Sequence, residues 1–360
     1  MAESLPRPVP LLPDDLDPAT LTTLLAARHP GTVVTEIAVR EVHEVTNTHV
    51  RLDLVYAGES ALPTSCFVKM VPRNRARRAQ IAQTDMGRRE VRFYDELAPR
   101  FEFRVPQVYG SAYDETDGSF VLVMEDLTLS GCTVSDGTVG VGADAAAVAL
   151  GELAVLHARS EDPVRRAVEV PWIPTPTRGS PYAVTMLADA LAHHRDRLSA
   201  DFAAIAAIYV DDADALQDVW HGDHDTVIHG DTHLGNCFDD HGRVGFLDWG
   251  IIHVGSAMRD VSYFMTMAMD PPVRRAHERD LLRHYLDTRA ALGATPWSFD
   301  DAWAAHRRHA AYTVVACCQI VTFPEGISEG RRVFSEAFLA RAEAAIADLD
   351  ALTALASTTS

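Results

Sequence analysis

The chain has 360 residues, a length that predicts about two domains. Hydrophobic residues make up 47% of the chain and charged residues 23%, a balance that excludes a disordered or fibrous protein. The 32 basic and 51 acidic residues leave a formal charge of −19, and this shortage of lysine and arginine argues against binding to nucleic acid.

The sequence shows no pattern for export or for membrane insertion. Residues 1–15 lack a basic start followed by an apolar run, so no signal peptide is predicted. The longest apolar stretch, residues 310–323, is shorter than a bilayer span. The five cysteines are odd in number and form no CxxC pair, which favours reduced thiols over a disulfide framework or a cysteine zinc site. We therefore expect a cytoplasmic protein.

The first 125 residues are predicted to form a small antiparallel sheet with one main helix. A short helix is expected over residues 21–28, and the main helix over residues 85–97. Runs of β-branched and apolar residues between turn signals predict five strands, over residues 33–39, 48–56, 65–71, 105–109 and 120–124. Residues 1–125 are therefore interpreted as a β-rich N-terminal lobe.

After Asp126 the pattern becomes mainly helical. Helices are predicted over residues 143–159, 183–198, 201–219, 257–268, 273–292, 300–319 and 331–354. Five prolines within residues 163–181 predict a loop, and residues 226–252 form a single β-like segment. The predicted fold class is α+β, with residues 126–360 as a helical C-terminal lobe and a hinge at about residues 122–130.

Two residue types are unusually rare in this composition. Lys69 is the only lysine, and the other 31 basic residues are arginines. Asparagine occurs only at Asn47, Asn74 and Asn236. Because arginine serves wherever the chain needs only a positive charge, the compact ammonium at position 69 predicts a specific role for Lys69.

The β-like segment carries a pattern that suits phosphoryl transfer. It contains the HGD tripeptide of residues 229–231, with Asn236 five residues after the aspartate, then a predicted hairpin and an apolar strand that ends at Asp248. This spacing is expected to bring Asp231, Asn236 and Asp248 together. Their carboxylate and amide oxygens suit Mg²⁺, and a carboxylate can accept the proton of a hydroxyl acceptor.

This pattern resembles the catalytic loop and the metal-binding motif of the aminoglycoside phosphotransferase-like kinases. The resemblance implies that Asp231 is the catalytic base and that Asn236 and Asp248 hold Mg²⁺. It also implies a protein-kinase-like bilobal fold, in which the small β-rich lobe binds the nucleotide and the larger helical lobe carries the catalytic loop and the acceptor pocket.

The resemblance extends over the predicted nucleotide-binding lobe. Thr46 and Asn47 are similar to the family's nucleotide loop, and Lys69 is similar to its phosphate-binding lysine. Glu90 matches the helix glutamate that pairs with this lysine. The cofactors that the resemblance implies are ATP and Mg²⁺.

The segment VLVMEDL, residues 121–127, resembles the family's hinge, which binds adenine through its backbone, and it places Met124 and Glu125 there. Gly230 stands where protein kinases carry arginine, and no APE-like segment follows Asp248. Both differences favour a small-molecule kinase over a protein kinase.

Three stretches are similar to the ecdysteroid-kinase-like branch of the family and its bacterial relatives. They are LPTSCFVKMVP, EDLTLSGC followed by a helix that ends in LAVLHA, and RDVSYFM followed by LLRHYL. This similarity implies that the acceptor is the hydroxyl of a neutral or amphipathic alcohol. Two alternatives stay open: an aminoglycoside or other antibiotic kinase, which the charge of −19 would suit, and a nucleotide-binding module without catalysis. The expected partner is a small-molecule hydroxyl acceptor, without nucleic acid, membrane or protein partners.

Other polar residues near the motif have structural interpretations. His229 is expected to support the loop, and Asp260 to brace a helix start or a loop. The spacing of the histidines between residues 221 and 253 fits no zinc site. A second HGD tripeptide, residues 221–223, is followed after five residues by Ile228, which cannot bind a metal, so no chemistry is assigned to Asp223.

Overall fold

The computed structural model describes residues 9–44, 46–176, 178–221, 224–323 and 327–356. These residues group into two compact units. The first comprises the residues up to Val134 together with Gly245–Ile251, and the second comprises Ser135–Val244 and the residues from Ile252 onward. The sequence analysis assigned all of residues 126–360 to the second lobe, whereas residues 126–134 and 245–251 group with the first unit.

The first unit is built on a five-stranded antiparallel sheet. Its elements are α1 (Pro18–Ala26), β1 (Val34–Glu44), β2 (Thr48–Tyr56), β3 (Ser65–Met70), α2 (Arg75–Thr84), α3 (Met86–Arg92), β4 (Val108–Tyr113), β5 (Phe120–Met124) and β6 (Thr133–Val134). The sheet order is β1-β2-β3-β5-β4, and each neighbouring pair is antiparallel. The predicted antiparallel sheet is therefore confirmed.

The alternation of apolar and polar residues directs one face of this sheet into the core. In β2, Val50, Leu52 and Leu54 are buried while the residues between them are partly exposed. Leu21 and Leu24 of α1 belong to the same apolar cluster. Burial of each such side chain contributes roughly 1.5 to 3 kcal/mol, so this cluster holds the sheet on which β3 presents Lys69.

The helical segment before β4 begins earlier than the sequence predicted. The Asn74 side chain caps α2 by accepting a hydrogen bond from the Arg77 N–H at 3.1 Å, so this third asparagine has a structural role. Asp85, with φ of 58°, separates α2 from α3. α3 continues as one stretch of π-helix, Phe93–Leu97. The prediction of one helix over residues 85–97 therefore covered only the second half of a longer helical region.

The second unit is mainly helical. Its elements in chain order are α4 (Ala143–Arg159), α5 (Pro163–Glu169), α6 (Pro181–His193), α7 (Ala200–Asp211), α8 (Ala213–Val219), β7 (Asp225–Ile228), β8 (Cys237–Asp240), β9 (Arg243–Phe246, whose last two residues belong to the first unit), β10 (His253–Ser256), α9 (Ala257–Ala268), α10 (Pro271–Ala291), α11 (Phe299–Ala310), α12 (Tyr312–Ala316), α13 (Glu329–Asp348) and α14 (Ala351–Ala356). β7 and β10 form an antiparallel pair in which Ile228 lies opposite His253. This pairing fixes the position of the loop that starts at His229.

Helix α9 forms the centre of the second unit. All of its residues are buried, including the charged pair Arg259 and Asp260. Large apolar side chains of neighbouring helices, among them Phe202, Trp220 and Phe338, belong to the surrounding core cluster. A charge on α9 must therefore find its partners inside the protein.

Two of the differences from the predicted helices have simple causes. The loop predicted over residues 163–181 is wrong for α5, because Pro163 occupies the first helical position, where proline is favoured, and Asp162 caps the helix. The helix predicted over residues 201–219 is divided at Asp212, whose side chain caps α8 by accepting from the Ala215 N–H at 2.9 Å. In the described ranges, no helix is both long enough and apolar enough to span a membrane.

The buried histidines of the second unit predict sensitivity to acid. In His309, Nδ1 lies 2.9 Å from the Ala305 carbonyl oxygen and Nε2 lies 3.3 Å from that of Trp220. Burial lowers the pKa of His309 to about 3, although both carbonyl contacts oppose the shift. Below pH 6.5, the ordinary pKa of histidine, the unfolded chain binds a proton that the folded chain does not, so stability falls as the pH falls.

We expect the free energy of unfolding to decrease between about pH 6.5 and pH 5, with His309 contributing roughly 1.4 kcal/mol per pH unit. Urea denaturation at several pH values measures this slope. His309→Gln should make the slope shallower, whereas His277→Gln, at an exposed position of α10, should leave it unchanged. An identical slope in His309→Gln and wild type would contradict the assignment.

Candidate active site

Lys69 lies at the end of β3, buried between two carboxylates of the first unit. Its Nζ is 2.7 Å from Glu90 Oε2 and 3.0 Å from Asp248 Oδ1. Lys69 and Glu90 are only 6% and 3% exposed. A buried ammonium is tolerated when it is paired, and two carboxylates pair this one. The structure thus brings together three residues that the sequence analysis named from separate segments.

The electrostatics of this group keep Lys69 charged. Burial by itself lowers the pKa of Lys69, but the Asp248 and Glu90 carboxylates outweigh it and raise the pKa above the ordinary value. Burial raises the pKa of Glu90 to about 7, against the opposing effect of the Lys69 charge. The ammonium is therefore present at neutral pH and oriented by hydrogen bonds on two sides.

Aromatic stacking positions the segment that carries Asp248. The Trp249 ring stacks on Phe93 with centroids 3.9 Å apart and an angle of 6° between the planes. Phe93 follows directly on α3, which carries Glu90, so the stack ties both carboxylates to one helix. Asp248 has φ of 58°, a left-handed conformation that is costly for a residue other than glycine and that clusters at functional sites.

Thr46 and Asn47 lie in the turn between β1 and β2. The register pairs His49 with Lys69, so this turn is at the same end of the sheet as the lysine. Asn47 is buried, and its Oδ1 has no hydrogen-bond partner among the described residues. A buried polar atom without a partner requires an explanation, and a bound ligand is one. Thr46 is exposed.

Met124 and Glu125 lie at the end of β5 and directly after it. Met124 is opposite Phe67 in the sheet register. The Glu125 carboxylate binds the Arg104 guanidinium at 2.8 and 2.9 Å, and its backbone N–H donates to the Gln107 carbonyl oxygen at 2.8 Å. The Glu125 carboxylate and its backbone N–H are therefore already bound within the protein.

The second unit brings Asp231 and Asn236 together. The Asn236 amide nitrogen donates to Asp231 Oδ2 at 2.8 Å and to the Asp231 carbonyl oxygen at 2.9 Å. His233 Nε2 is 3.5 Å from the same Oδ2. Burial raises the pKa of Asp231, but His233, His229 and Asn236 together lower it to about 2. Asp231 is therefore ionised, and the Asn236 amide oxygen stays available as a ligand.

A buried carboxylate on α9 holds the loop that precedes Asp231. Asp260 accepts from the His229 N–H at 2.7 Å and from the Gly230 N–H at 2.8 Å. The predicted bracing role of Asp260 is thus confirmed. Gly230 has φ of 85°, a conformation that favours glycine, so a side chain at this position would strain the loop. His229 supports the loop as well, since its Nδ1 accepts from the Asp231 N–H at 3.1 Å.

The brace continues through residues that the sequence analysis did not single out. His157 Nε2 lies 3.3 Å from Asp260 Oδ2, and its Nδ1 lies 2.7 Å from the Tyr285 hydroxyl. His157 and Tyr285 stand in the LAVLHA and LLRHYL stretches that carried the branch resemblance, and this was the only sequence signal for them. His233 was considered only as one of several histidines.

Two further predictions concern a zinc site and the second HGD tripeptide. Among the residues that the structure describes, no group of three His, Cys, Asp or Glu side chains is arranged to hold a metal ion. Gly222 and Asp223 of the second HGD tripeptide lie outside the described residues.

Comparison with known proteins first establishes the class of fold. A candidate aminoglycoside phosphotransferase from Ralstonia eutropha superposes with a TM-score of 0.51 at 15% identity, covering 90% of this chain and 96% of that one. The macrolide 2′-phosphotransferase of Brachybacterium faecium superposes with a TM-score of 0.46 at 16% identity, covering 88% of this chain and 97% of that one. Choline kinase LicA of Streptococcus pneumoniae superposes with a TM-score of 0.45 at 13% identity, covering 85% of this chain and 94% of that one. The first of these likenesses shows that the fold is the kinase-like α+β fold.

The sequence profile of the ecdysteroid kinase-like family matches residues 47–290, more than half of the chain. The protein belongs to this family, and its class is that of the small-molecule kinases, which transfer a phosphoryl group to a hydroxyl. The predicted family is therefore confirmed. No curated protein matches the chain significantly in sequence.

The buried position of Lys69 predicts that arginine cannot replace it. We expect Lys69→Arg to fold but to bind ATP at least about tenfold more weakly, because a planar fork cannot occupy the slot between two carboxylates as a compact ammonium does. Titration with a fluorescent ATP analogue measures the affinity. The reverse exchange at an exposed site of α2, Arg75→Lys, is the control and should bind normally. Equal affinity of Lys69→Arg and wild type for the ATP analogue would contradict a special role of Lys69.

The hydrogen bonds of Asp260 predict a large effect of a small substitution. Asp260→Asn removes the buried charge and turns an amide nitrogen towards backbone N–H donors, so we expect a loss of about 3 kcal/mol in the free energy of unfolding. Chemical denaturation measures the loss. Asp218→Asn, on an exposed turn of α8, should lie within about 0.5 kcal/mol of wild type. A loss of that small size at Asp260 would show that the loop does not depend on it.

Proposed function

We propose that the protein transfers the γ-phosphoryl group of ATP, with Mg²⁺, to a hydroxyl of a small neutral or amphipathic alcohol in the cytoplasm. The observation that carries this proposal is the buried ion pair of Lys69 and Glu90, with the partly exposed Asp248 carboxylate also bound to Lys69, in the first unit. One lysine between two carboxylates leaves an excess negative charge, which a cation bound at Asp248 would balance. A nucleotide triphosphate that arrives with Mg²⁺ supplies this cation together with phosphates for Lys69, and the family membership supports such a ligand.

In this proposal Asp231 orients the acceptor hydroxyl and takes its proton. A carboxylate with a pKa of about 2 is a weak base, so it accepts the proton late, as the new O–P bond forms. This timing suits phosphoryl transfer, in which the protein contributes mainly by positioning and by electrostatic stabilisation. The hydrogen bonds of Asn236 and the loop brace of Asp260 hold the carboxylate in place for that step.

Asn236 and Asp248 are the proposed ligands of Mg²⁺. Their donor chemistry fits this ion, since Asn236 binds Asp231 through its amide nitrogen and keeps its oxygen, and the Asp248 side chain is 42% exposed. The bound ion would neutralise charge on the phosphates. Lys69 binds the α- and β-phosphates, with Glu90 orienting it.

The nucleotide loop and the hinge complete the proposed ATP site. Asn47 Oδ1, which has no hydrogen-bond partner among the described residues, supports a ligand contact at the turn that contains Thr46. Adenine is bound by backbone groups at Met124 and Glu125, where the Glu125 carbonyl is the available acceptor.

The test separates nucleotide binding from chemistry. Saturating ATP with Mg²⁺ should raise the melting temperature, because a ligand of the folded state stabilises it by mass action. Asp231→Asn should keep this increase but lose turnover by a factor of roughly 100 to 10,000. Turnover is found by screening aminoglycosides, macrolides, sterols and amino sugars for ATP consumption. Asp223→Asn, the same substitution in the second HGD tripeptide, is the matched control and should leave both the melting-temperature increase and the turnover unchanged.

An unchanged melting temperature with ATP and Mg²⁺ would contradict the proposal as a whole. A normal increase without turnover of any hydroxyl compound would favour the nucleotide-binding module instead. Equal losses at Asp223 and Asp231 would mean that the catalytic loop is wrongly placed.

A further inference from the structure

His233 caps the short 3₁₀ helix Leu234–Asn236, and it is an unusual residue for this role. Its Nδ1 accepts a hydrogen bond from the Gly235 N–H at 2.9 Å. In the described part of the chain, every other helix that a side chain caps in this way is capped by aspartate, asparagine or serine. These short side chains are the preferred caps. A histidine at this position therefore requires a further explanation.

The hydrogen bond of the cap determines which ring nitrogen of His233 carries the proton. A nitrogen that accepts from a backbone N–H has no proton of its own, so the single proton of the neutral ring is on Nε2. Nε2 lies 3.5 Å from Asp231 Oδ2, the limit of a hydrogen bond. The ring therefore presents an N–H donor to the carboxylate that is the proposed base.

Packing keeps the ring in this orientation. The His233 ring meets the Phe338 ring edge to face with centroids 5.2 Å apart, and it meets the Tyr263 ring in the same way at 6.1 Å. A Cβ atom at Gly235 would lie 2.8 Å from His233 Cε1, so an alanine there would push the ring from its place. The imidazole thus has little freedom to turn away from Asp231.

The two oxygens of the Asp231 carboxylate have different surroundings. Oδ2 accepts from the Asn236 amide nitrogen at 2.8 Å and also faces His233 Nε2. Oδ1 has no hydrogen-bond partner among the described residues, and the Asp231 side chain is 31% exposed. A general base needs an oxygen within hydrogen-bond reach of the hydroxyl, and Oδ1 is the oxygen that a ligand can reach.

We propose that His233 is a positioning residue for Asp231: its Nε2–H fixes Oδ2 and leaves Oδ1 to receive the proton of the acceptor. This inference rests on the proposed function and adds a residue to the same site. In the transfer, the hydroxyl proton moves to Oδ1, the acceptor oxygen bonds to the γ-phosphorus, and the bond from this phosphorus to ADP breaks. Without the imidazole, the Asn236 amide alone holds Oδ2, and the carboxylate has more freedom to turn.

Two substitutions separate the cap from the contact with Asp231. His233→Asn keeps a side chain that can accept from the Gly235 N–H, but this side chain is too short to reach Asp231. His233→Gln places an amide nitrogen near the position of Nε2 and loses the acceptor at the position of Nδ1. A positioning residue and a structural cap therefore predict opposite orders of activity for the two variants.

Hydrolysis of ATP with Mg²⁺, in which water replaces the acceptor, is the probe reaction, and Asp231→Asn gives the background rate. We expect His233→Asn to lower kcat roughly 10- to 100-fold with KM for ATP unchanged, and His233→Gln to stay within about threefold of wild type. Both variants should keep the melting-temperature increase with ATP and Mg²⁺. His241→Asn, in the exposed turn between β8 and β9, is the control and should match wild type, since asparagine tolerates the φ of 55° there.

Proton–nitrogen NMR of histidine-labelled protein tests the tautomer without any reaction. The signals that His233→Asn lacks identify the His233 ring. We expect a proton on Nε2 and none on Nδ1 in the neutral ring. A proton on Nδ1 would contradict the donor role of Nε2 and overturn the proposal.

A normal rate in His233→Asn, or an equal or larger loss in His233→Gln, would reduce His233 to a cap and overturn the proposal. A wild-type rate no higher than that of Asp231→Asn would overturn it as well. A normal melting-temperature increase with ATP and Mg²⁺ alongside these results would show that the inference fails while nucleotide binding stands. Loss of that increase in the wild type would instead contradict the proposed function.

Discussion

The ion pair of Lys69 with Glu90 is the interaction on which the first unit is organised. An ammonium and a carboxylate are both nearly removed from water, 2.7 Å apart, with the Asp248 carboxylate on another side of the ammonium. Neither charge is stable there alone. Strand register, the helix that carries Glu90 and the stacking of Trp249 on Phe93 all serve to keep the three groups in contact. The arrangement keeps Lys69 charged and fixes the direction of its ammonium group.

The second unit handles buried charge in a different way. Asp260 is a fully buried carboxylate that is stabilised by two backbone N–H groups and by His157, and no lysine or arginine among the described residues forms an ion pair with it. Because the donors belong to the loop that leads to Asp231, the carboxylate ties this loop to helix α9. Its neighbour Arg259 contacts the Gly230 carbonyl oxygen and the Tyr312 ring, and the Asp260 and Asp231 charges favour its cation. The two adjacent buried charges of α9 are thus stabilised by different groups.

Local patterns define some of the strands well, although β4, predicted over residues 105–109, lies at Val108–Tyr113, and β1, predicted over residues 33–39, extends to Glu44. Residues 48–56 and 120–124 have the predicted bounds, since β-branched and apolar residues alternate there between clear turn signals. The predictions of helices were wrong where a single capping residue decides where the helix begins. Asn74 starts α2 in a stretch rich in arginine, and Asp162 with Pro163 starts α5 in a stretch rich in proline. A cap acts through one hydrogen bond, which composition over a window does not reveal.

The sequence by itself determined the chemistry: a lone lysine, the HGD tripeptide with an asparagine five residues later, and the Asp-Trp strand end identify the family, and with it the class of reaction. Only the tertiary structure decided which charges are partnered. Nothing in the local sequence distinguishes Arg259 from Arg274 or Arg341, because the partner of a buried arginine comes from a distant helix or loop. Pairing is set by packing across the core, and for that reason the partners of the buried charges were visible only in the fold.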